Sequence, residues 1–128
     1  MELGFVNFRM NDCPFCNIDR EVLASSDLCL AIYDKFPVNK GHVLVIPRRH
    51  VRDYFSLLEE EVEDIWRLVS EVKELIELAF QPAGFNVGFN IGPAAGQTVD
   101  HVHIHVIPRY EGDMDDPTGG VRHVIPVL

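Results

Sequence analysis

The chain has 128 residues, 47% hydrophobic and 24% charged, which suits one compact domain over residues 1–128 and needs no disulfide framework. Its net charge is −9, from 20 acidic and 11 basic residues. A polyphosphate backbone is repelled by such a surface unless a basic patch overrides it, so a long nucleic acid is not an expected partner, whereas a small anion in a local pocket is compatible.

The first ten residues, MELGFVNFRM, lack the apolar core and small-residue cleavage site of a signal peptide, and no apolar run is long enough to span a membrane. The cysteines are Cys13, Cys16 and Cys29. An odd count with a close Cys-x-x-Cys pair, here in an N-terminal segment 1–20, fits a reducing compartment, and cytoplasm is the expected location. Leu28–Tyr33 (LCLAIY) is short and apolar and predicts a strand, with Cys29 as a core residue. DKFPVNKG (34–41) is a turn, and His42–Pro47, rich in β-branched residues and stopped by proline, predicts a second strand. RRHVR (Arg48–Arg52) is the nearest thing to a basic patch and is short.

Ser56 followed by Glu59 predicts a capping box that opens a long helix. Apolar residues then recur with helical spacing at Leu58, Val62, Ile65, Val69, Val72, Ile76 and Ala79. Glu59, Glu60, Glu61, Glu63 and Asp64 lie in its first turns, where the helix dipole favours negative charge, and are read as a solvated face. QPAG (81–84) ends the helix. Phe85–Ile91 alternates as a third strand, GPAAGQTV (92–99) is a loop, and His101–Ile107 is a fourth strand. Residues 110–128 form a tail. Strands in runs around one long helix predict an α+β fold with an antiparallel sheet.

The fourth strand carries the chemistry. Alternation puts His101, His103 and His105 on one face, about 7 Å apart, and Val102, Ile104 and Val106 on the other, against the helix. One histidine in a strand is ordinarily structural, but three on one face are costly to bury without partners. Two chemistries fit. The imidazoles could chelate zinc and leave an open position for water. Alternatively, one is a nucleophile that its neighbours orient. Upstream, Gly92, Ala94, Ala95 and Gly96 allow close backbone approach, and Gln97 and Thr98 add donors, which makes the loop a candidate phosphate cradle.

GQTVDHVHIHVIPR (96–109) resembles the defining motif of the histidine triad (HIT) family, in which apolar residues separate three histidines. KGHVLVIPRRH (40–50) resembles that family's second hallmark strand, and CPFC (13–16) resembles the Cys-x-x-Cys of its zinc-containing members. The motifs run in the expected order from Cys13 to Arg109. The resemblance implies a HIT-like α+β fold with an antiparallel sheet of about five strands, one long helix and a shorter one, the sheet extending across a homodimer.

It also implies a nucleotide-binding hydrolase or nucleotidyl transferase that acts at the α-phosphate. His103 would be the nucleophile, forming a nucleotidyl-histidine intermediate that water resolves. His105 would bind phosphate and assist the leaving group, and His101 would support the site or ligate a metal. Gly96, Gln97 and Thr98 match the segment that contacts the phosphates, and Asn90 a polar residue beside the site. Asp34 matches a ribose-binding carboxylate, although aspartate is also an ordinary turn residue. Pro108-Arg109 after the triad resembles the dinucleoside-polyphosphate branch, so a diadenosine polyphosphate or related adenosine nucleotide is the expected substrate.

In zinc-containing members the ligands correspond to Cys13, Cys16, His50 and His101. A structural Zn²⁺ is expected there, and no cofactor is required for catalysis. Two rival readings stand beside this one: a zinc hydrolase using the triad as ligands, and a nucleotide-binding regulatory module with negligible turnover. In the tail, Gly119-Gly120 would let Arg122 and His123 fold back on the site or on a neighbouring subunit.

Overall fold

The structure, a computed structural model, describes residues 12–126; most of the N-terminal segment 1–20, including MELGFVNFRM, and residues 127–128 lie outside the described residues. Strands β1 (Val22–Ser25), β2 (Cys29–Tyr33) and β3 (Val43–Pro47) precede the helix α1 (Glu59–Phe80), and β4 (Gly84–Gly88) and β5 (Ile104–Arg109) follow it. All pairings are antiparallel, and the five strands lie in the order β1-β2-β3-β5-β4. The other helical pieces among the described residues are short 3-10 turns at Tyr54–Ser56, Pro93–Ala95 and Gly120–Val124, and no second α-helix corresponding to the expected shorter one occurs among those residues. No described helix is long and apolar enough to cross a membrane.

Strand alternation sorts the core. Cys29, Ala31, Val43, Val45, Val102, Ile104 and Val106 meet Ile65, Leu68, Val69, Val72 and Ile76 of α1. On the opposite face Ile32, Leu44 and Ile46 pack against Cys13 and Phe15 of the N-terminal segment. The helix thus covers one face, and the other is left to the histidines and to this short covering segment.

Several boundaries and roles differ from the sequence reading. Ser56 does not cap the helix. It ends a 3-10 turn that Asp53 caps through the Phe55 amide, and Leu58 is the N-cap of α1. Leucine offers no acceptor, so only half of the capping box forms, with the Leu58 N–H donating to Glu61 at 2.8 Å. Leu58 and Ala79 are exposed, whereas Leu68, absent from the expected stripe, is buried.

The acidic run is not wholly solvated. Glu61 is buried and accepts two bonds from Arg49, at 2.7 and 3.1 Å. Asp64 is buried and accepts from Ser26 Oγ–H at 2.6 Å and from the Leu28 N–H at 3.1 Å, tying the helix to the β1–β2 turn. The strand β1 was not foreseen, because its four residues are only partly buried and carry little apolar pattern. Phe85–Ile91 contracts to Gly84–Gly88, and the histidine strand shifts to Ile104–Arg109, leaving His101 and His103 just before its ladder.

Candidate functional site: four histidines of fixed tautomer

The imidazole face forms as expected although its first two members precede the strand. Val102, between them, donates its N–H to the Val51 carbonyl at 2.8 Å and points into the helix-side core. His101 and His103 therefore turn the other way. His101 is fully buried, and His103 is 7% exposed beneath the Phe15 ring, 5.0 Å away between centroids. His105 lies opposite Leu44 of β3 and Gly88 of β4.

Each ring has one nitrogen committed to a partner that fixes where its proton sits. His103 Nδ1–H donates to the His101 carbonyl at 2.8 Å; a carbonyl can only accept, so Nε2 keeps its lone pair. His101 Nε2–H donates to the Pro47 carbonyl at 2.8 Å, which leaves Nδ1 bare. On β3's leading edge, His42 Nδ1 accepts the Val38 N–H at 3.1 Å, so its proton is on Nε2. That Nε2–H donates to His105 Nδ1 at 2.9 Å, which places the His105 proton on its own Nε2.

Burial holds these rings neutral. It lowers His103 and His42 below the ordinary imidazole value, against the opposing pull of Asp34. Burial, with His103 and His42 as neighbours, pushes His105 down to about 4, and burial likewise takes His101 to about 4. An unprotonated nitrogen on His103 and a donating N–H on His105 thus coexist at neutral pH.

A cavity of about 560 Å³ opens over His103 and His105. Phe15, Phe36 and Val38 give it apolar walls, and Asp34, Asn90, Gly96 and Thr98 line its polar side. Phe36 is 84% exposed, an apolar side chain that the other described residues leave largely open. Asp34 acts as a turn residue, its Oδ1 accepting the Phe36 N–H at 2.8 Å, and it borders the cavity with its Oδ2 3.5 Å from His42 Nε2.

Gln97 does not line this cavity. It is buried, its Nε2 donates to the Arg52 and Val99 carbonyls at 2.6 and 3.1 Å, and its Oε1 accepts the Gly92 N–H at 2.9 Å. Both its N–H bonds go to backbone carbonyls, so it braces the loop and ties it to the segment at Arg52.

His42 was missing from the expected site. Its signal lay in GHVLVIP, where alternation places His42 with Leu44 and Ile46 on the face that His105 shares.

His101 faces away from the cavity. Its bare Nδ1 lies 3.4 Å from Cys13 Sγ, 3.5 Å from Cys16 Sγ and 3.2 Å from His50 Nδ1, and Cys16 Sγ lies 3.1 Å from His50 Nδ1. The edges of a tetrahedral zinc site with two sulfurs and two nitrogens are about 3.3–3.8 Å, so this donor set fits such an ion. The bond from His101 to Pro47 is the kind of outer contact that orients a ligating imidazole. Without a cation, burial and the neighbouring Cys13 push the Cys16 thiol up to about 11. The three triad histidines do not converge on one group of possible metal ligands: His101 lies with Cys13, Cys16 and His50, and His105 with Asp34 and His42. Cys29 sits in the helix-side core, where burial raises its thiol to about 12.

The basic segment serves the fold: Arg48 donates to the Ser26 carbonyl, Arg49 pairs with Glu61, and Arg52 lies 3.1 Å from Asp100. In the tail, His123 packs onto Gly119, and it is Val121 and Val124, not Arg122 and His123, that reach the neighbourhood of His105.

Residues 16–112 match the family model of the HIT domain. A HIT-like protein of 16.1 kDa from Mycoplasma pneumoniae is 38% identical over 106 residues, 79% of this chain and 74% of the relative. An AP-4-A phosphorylase of Mycobacterium tuberculosis is 36% identical over 110 residues, 84% of this chain and 56% of its own length. A bis(5'-nucleosyl)-tetraphosphatase (asymmetrical) of Schizosaccharomyces pombe is 37% identical over 99 residues, 77% of this chain and 54% of its own. Among solved structures, a HIT family protein from Bacillus anthracis superposes with a TM-score of 0.76 at 35% identity, covering 88% of this chain and 86% of the other. A Zn-bound histidine triad family protein from Mycobacterium smegmatis gives 0.74 at 32% identity, covering 82% and 80%.

Proposed function

The chain belongs to the HIT domain family, and on that premise we propose that it is a nucleotide hydrolase or nucleotidyl transferase acting on diadenosine polyphosphates or related adenosine nucleotides. Relatives bearing the names AP-4-A phosphorylase and bis(5'-nucleosyl)-tetraphosphatase support the substrate class. One observation carries the mechanism: His103 Nδ1–H is held by the His101 carbonyl, so the cavity-lining ring keeps an unprotonated Nε2.

In this reading His103 Nε2 attacks the α-phosphorus, the new N–P bond forms, and the bridging P–O bond breaks. The departing oxygen takes the electron pair and leaves as a phosphate oxyanion, stabilised by a hydrogen bond from His105 Nε2–H. Charge that develops on the His103 ring is stabilised through the same Nδ1–H bond to His101. Water then attacks phosphorus and releases a proton to solvent, the N–P bond breaks with its electron pair returning to His103 Nε2, and a nucleoside monophosphate leaves. Thr98 and the loop backbone at Gly96 line the phosphate side, where positioned donors lower the barrier most. Asp34 and Asn90 bind the sugar, and Phe36 and Val38 flank the base.

Cys13, Cys16, His50 and His101 would hold a structural zinc, which ties the N-terminal segment to the strand that carries His103. The expected location is the cytoplasm and the expected assembly a homodimer, joined through the sheet edge at β4.

The test is chemical trapping. Mixing the protein with adenine-labelled diadenosine tetraphosphate and quenching in alkali, where an N–P bond survives, is expected to leave label on the His103 peptide. His103→Ala is expected to bind nucleotide and to lose both label and turnover. Wild-type turnover in His103→Ala would overturn the nucleophile. Binding without any turnover in the unaltered chain would favour a regulatory module.

A further inference from the structure

A second cavity, of about 330 Å³, lies on the other side of His105. It shares Val38, His42, Asn90 and His105 with the first cavity but does not reach His103. Its floor is β4, where Gly88 stands opposite His105 in register and adds no side chain. Its outer wall is the tail: Val121 and Val124 of the last 3-10 turn line it. Those valines are 62% and 81% exposed, so the tail presents apolar surface that the other described residues leave open.

The tail is built into this position. Arg109 donates to Asp113 at 2.7 and 2.8 Å and to Asn86 at 2.7 Å, and Tyr110 O–H donates to the Lys40 carbonyl at 2.6 Å. Gly119 and Gly120 then turn the chain at φ of 90° and 45°. Side chains rarely adopt these positive φ values, so glycine suits both positions of the turn.

In-line displacement sends the leaving group away from the attacking atom. His103 borders one cavity only, and His105, the proposed donor to the departing oxygen, borders both. Resting on the reading above, we propose that the second cavity binds the departing nucleoside of a two-headed substrate, and that Val121 and Val124 of the tail are its specificity-determining wall. An apolar slot of this size matches a nucleoside, and the tail would select dinucleoside polyphosphates over one-headed adenylates.

The test compares diadenosine tetraphosphate with adenosine 5′-phosphofluoridate, whose leaving group is a single atom. Both valines are exposed, so Val121→Ser/Val124→Ser is expected to fold. The double variant is expected to lower the ratio of kcat/KM for the dinucleotide to that for the phosphofluoridate by roughly tenfold. In His103→Ala, the Val121 and Val124 methyl resonances are expected to shift with the dinucleotide but not with equimolar AMP. An unchanged ratio, or an equal loss on both substrates with altered sedimentation, would overturn the subsite and assign the valines to a subunit contact instead. Turnover of neither substrate by the unaltered chain, with the methyl shifts present, would sink the hydrolase reading and keep the subsite; absence of both sinks both.

Discussion

His42 Nε2 lies 2.9 Å from His105 Nδ1, and the opposite nitrogen of His42 is occupied by the Val38 N–H at 3.1 Å. A backbone amide in the β2–β3 turn therefore determines, through one intervening ring, which nitrogen of His105 carries the proton. His42→Asn is expected to free that choice and to remove a neighbour that lowers the His105 pKa. kcat for diadenosine tetraphosphate should fall by up to about 10²-fold with KM little changed. Imidazole ¹⁵N shifts should show His105 as a tautomer mixture. A sharp Nε2–H tautomer in the variant would break the connection.

The zinc site is testable independently of turnover. Protein purified from metal-replete medium is expected to hold about one equivalent of zinc. Cys16→Ser or His50→Ala should lose the metal and lower the melting temperature. Chelation should reduce activity only in step with loss of near-ultraviolet ellipticity, because the His103 chemistry does not pass through the ion. Immediate loss of turnover in a folded, chelated protein would instead revive metal-ligated catalysis by the triad.

Stability should depend on pH through His105. Its folded pKa is about 4, well below the ordinary imidazole value, mainly because it is buried. As pH falls below that ordinary value, the unfolded chain gains a proton that the folded chain refuses until near pH 4. Stability is thus fully present at neutral pH and declines toward the folded pKa, by up to about 3 kcal/mol for this ring. Denaturant titrations between pH 7.5 and 4.5 should give a shallower decline for His105→Asn than for the unaltered chain; identical slopes would count against it.

Asp64 bonds α1 to the β1–β2 turn. Asp64→Ala would leave the Ser26 hydroxyl and the Leu28 amide without their acceptor, at a cost of about 2 kcal/mol. Glu63→Ala, one residue away and exposed, should change the denaturation midpoint little.

Much of this was legible along the chain because local periodicity carried it. The alternation from His101 to Val106 fixed which side chains face the helix, and it held even where hydrogen-bonded pairing begins only at Ile104. The spacing of Ile65, Val69, Val72 and Ile76 fixed the buried stripe of α1. The edge strand β1, with two half-buried residues between two exposed ones, has no strong period to read. Ser56 misled because capping depends on backbone dihedrals at the helix start, which a Ser-x-x-Glu spacing does not set.

By itself, then, the sequence determined the residue chemistry: three imidazoles on one face, two thiols with metal-site spacing, and a small-residue loop ahead of them. Only the tertiary structure decided the division of labour. Alternation puts all three rings on one side of the sheet, but long-range partners split them. His101 turns to Cys13, Cys16 and His50, whereas His105 pairs with His42 and borders a wall made by the tail. Side-chain direction follows from a period of two residues, whereas a proton's position follows from whichever carbonyl or amide folding brings within hydrogen-bond distance.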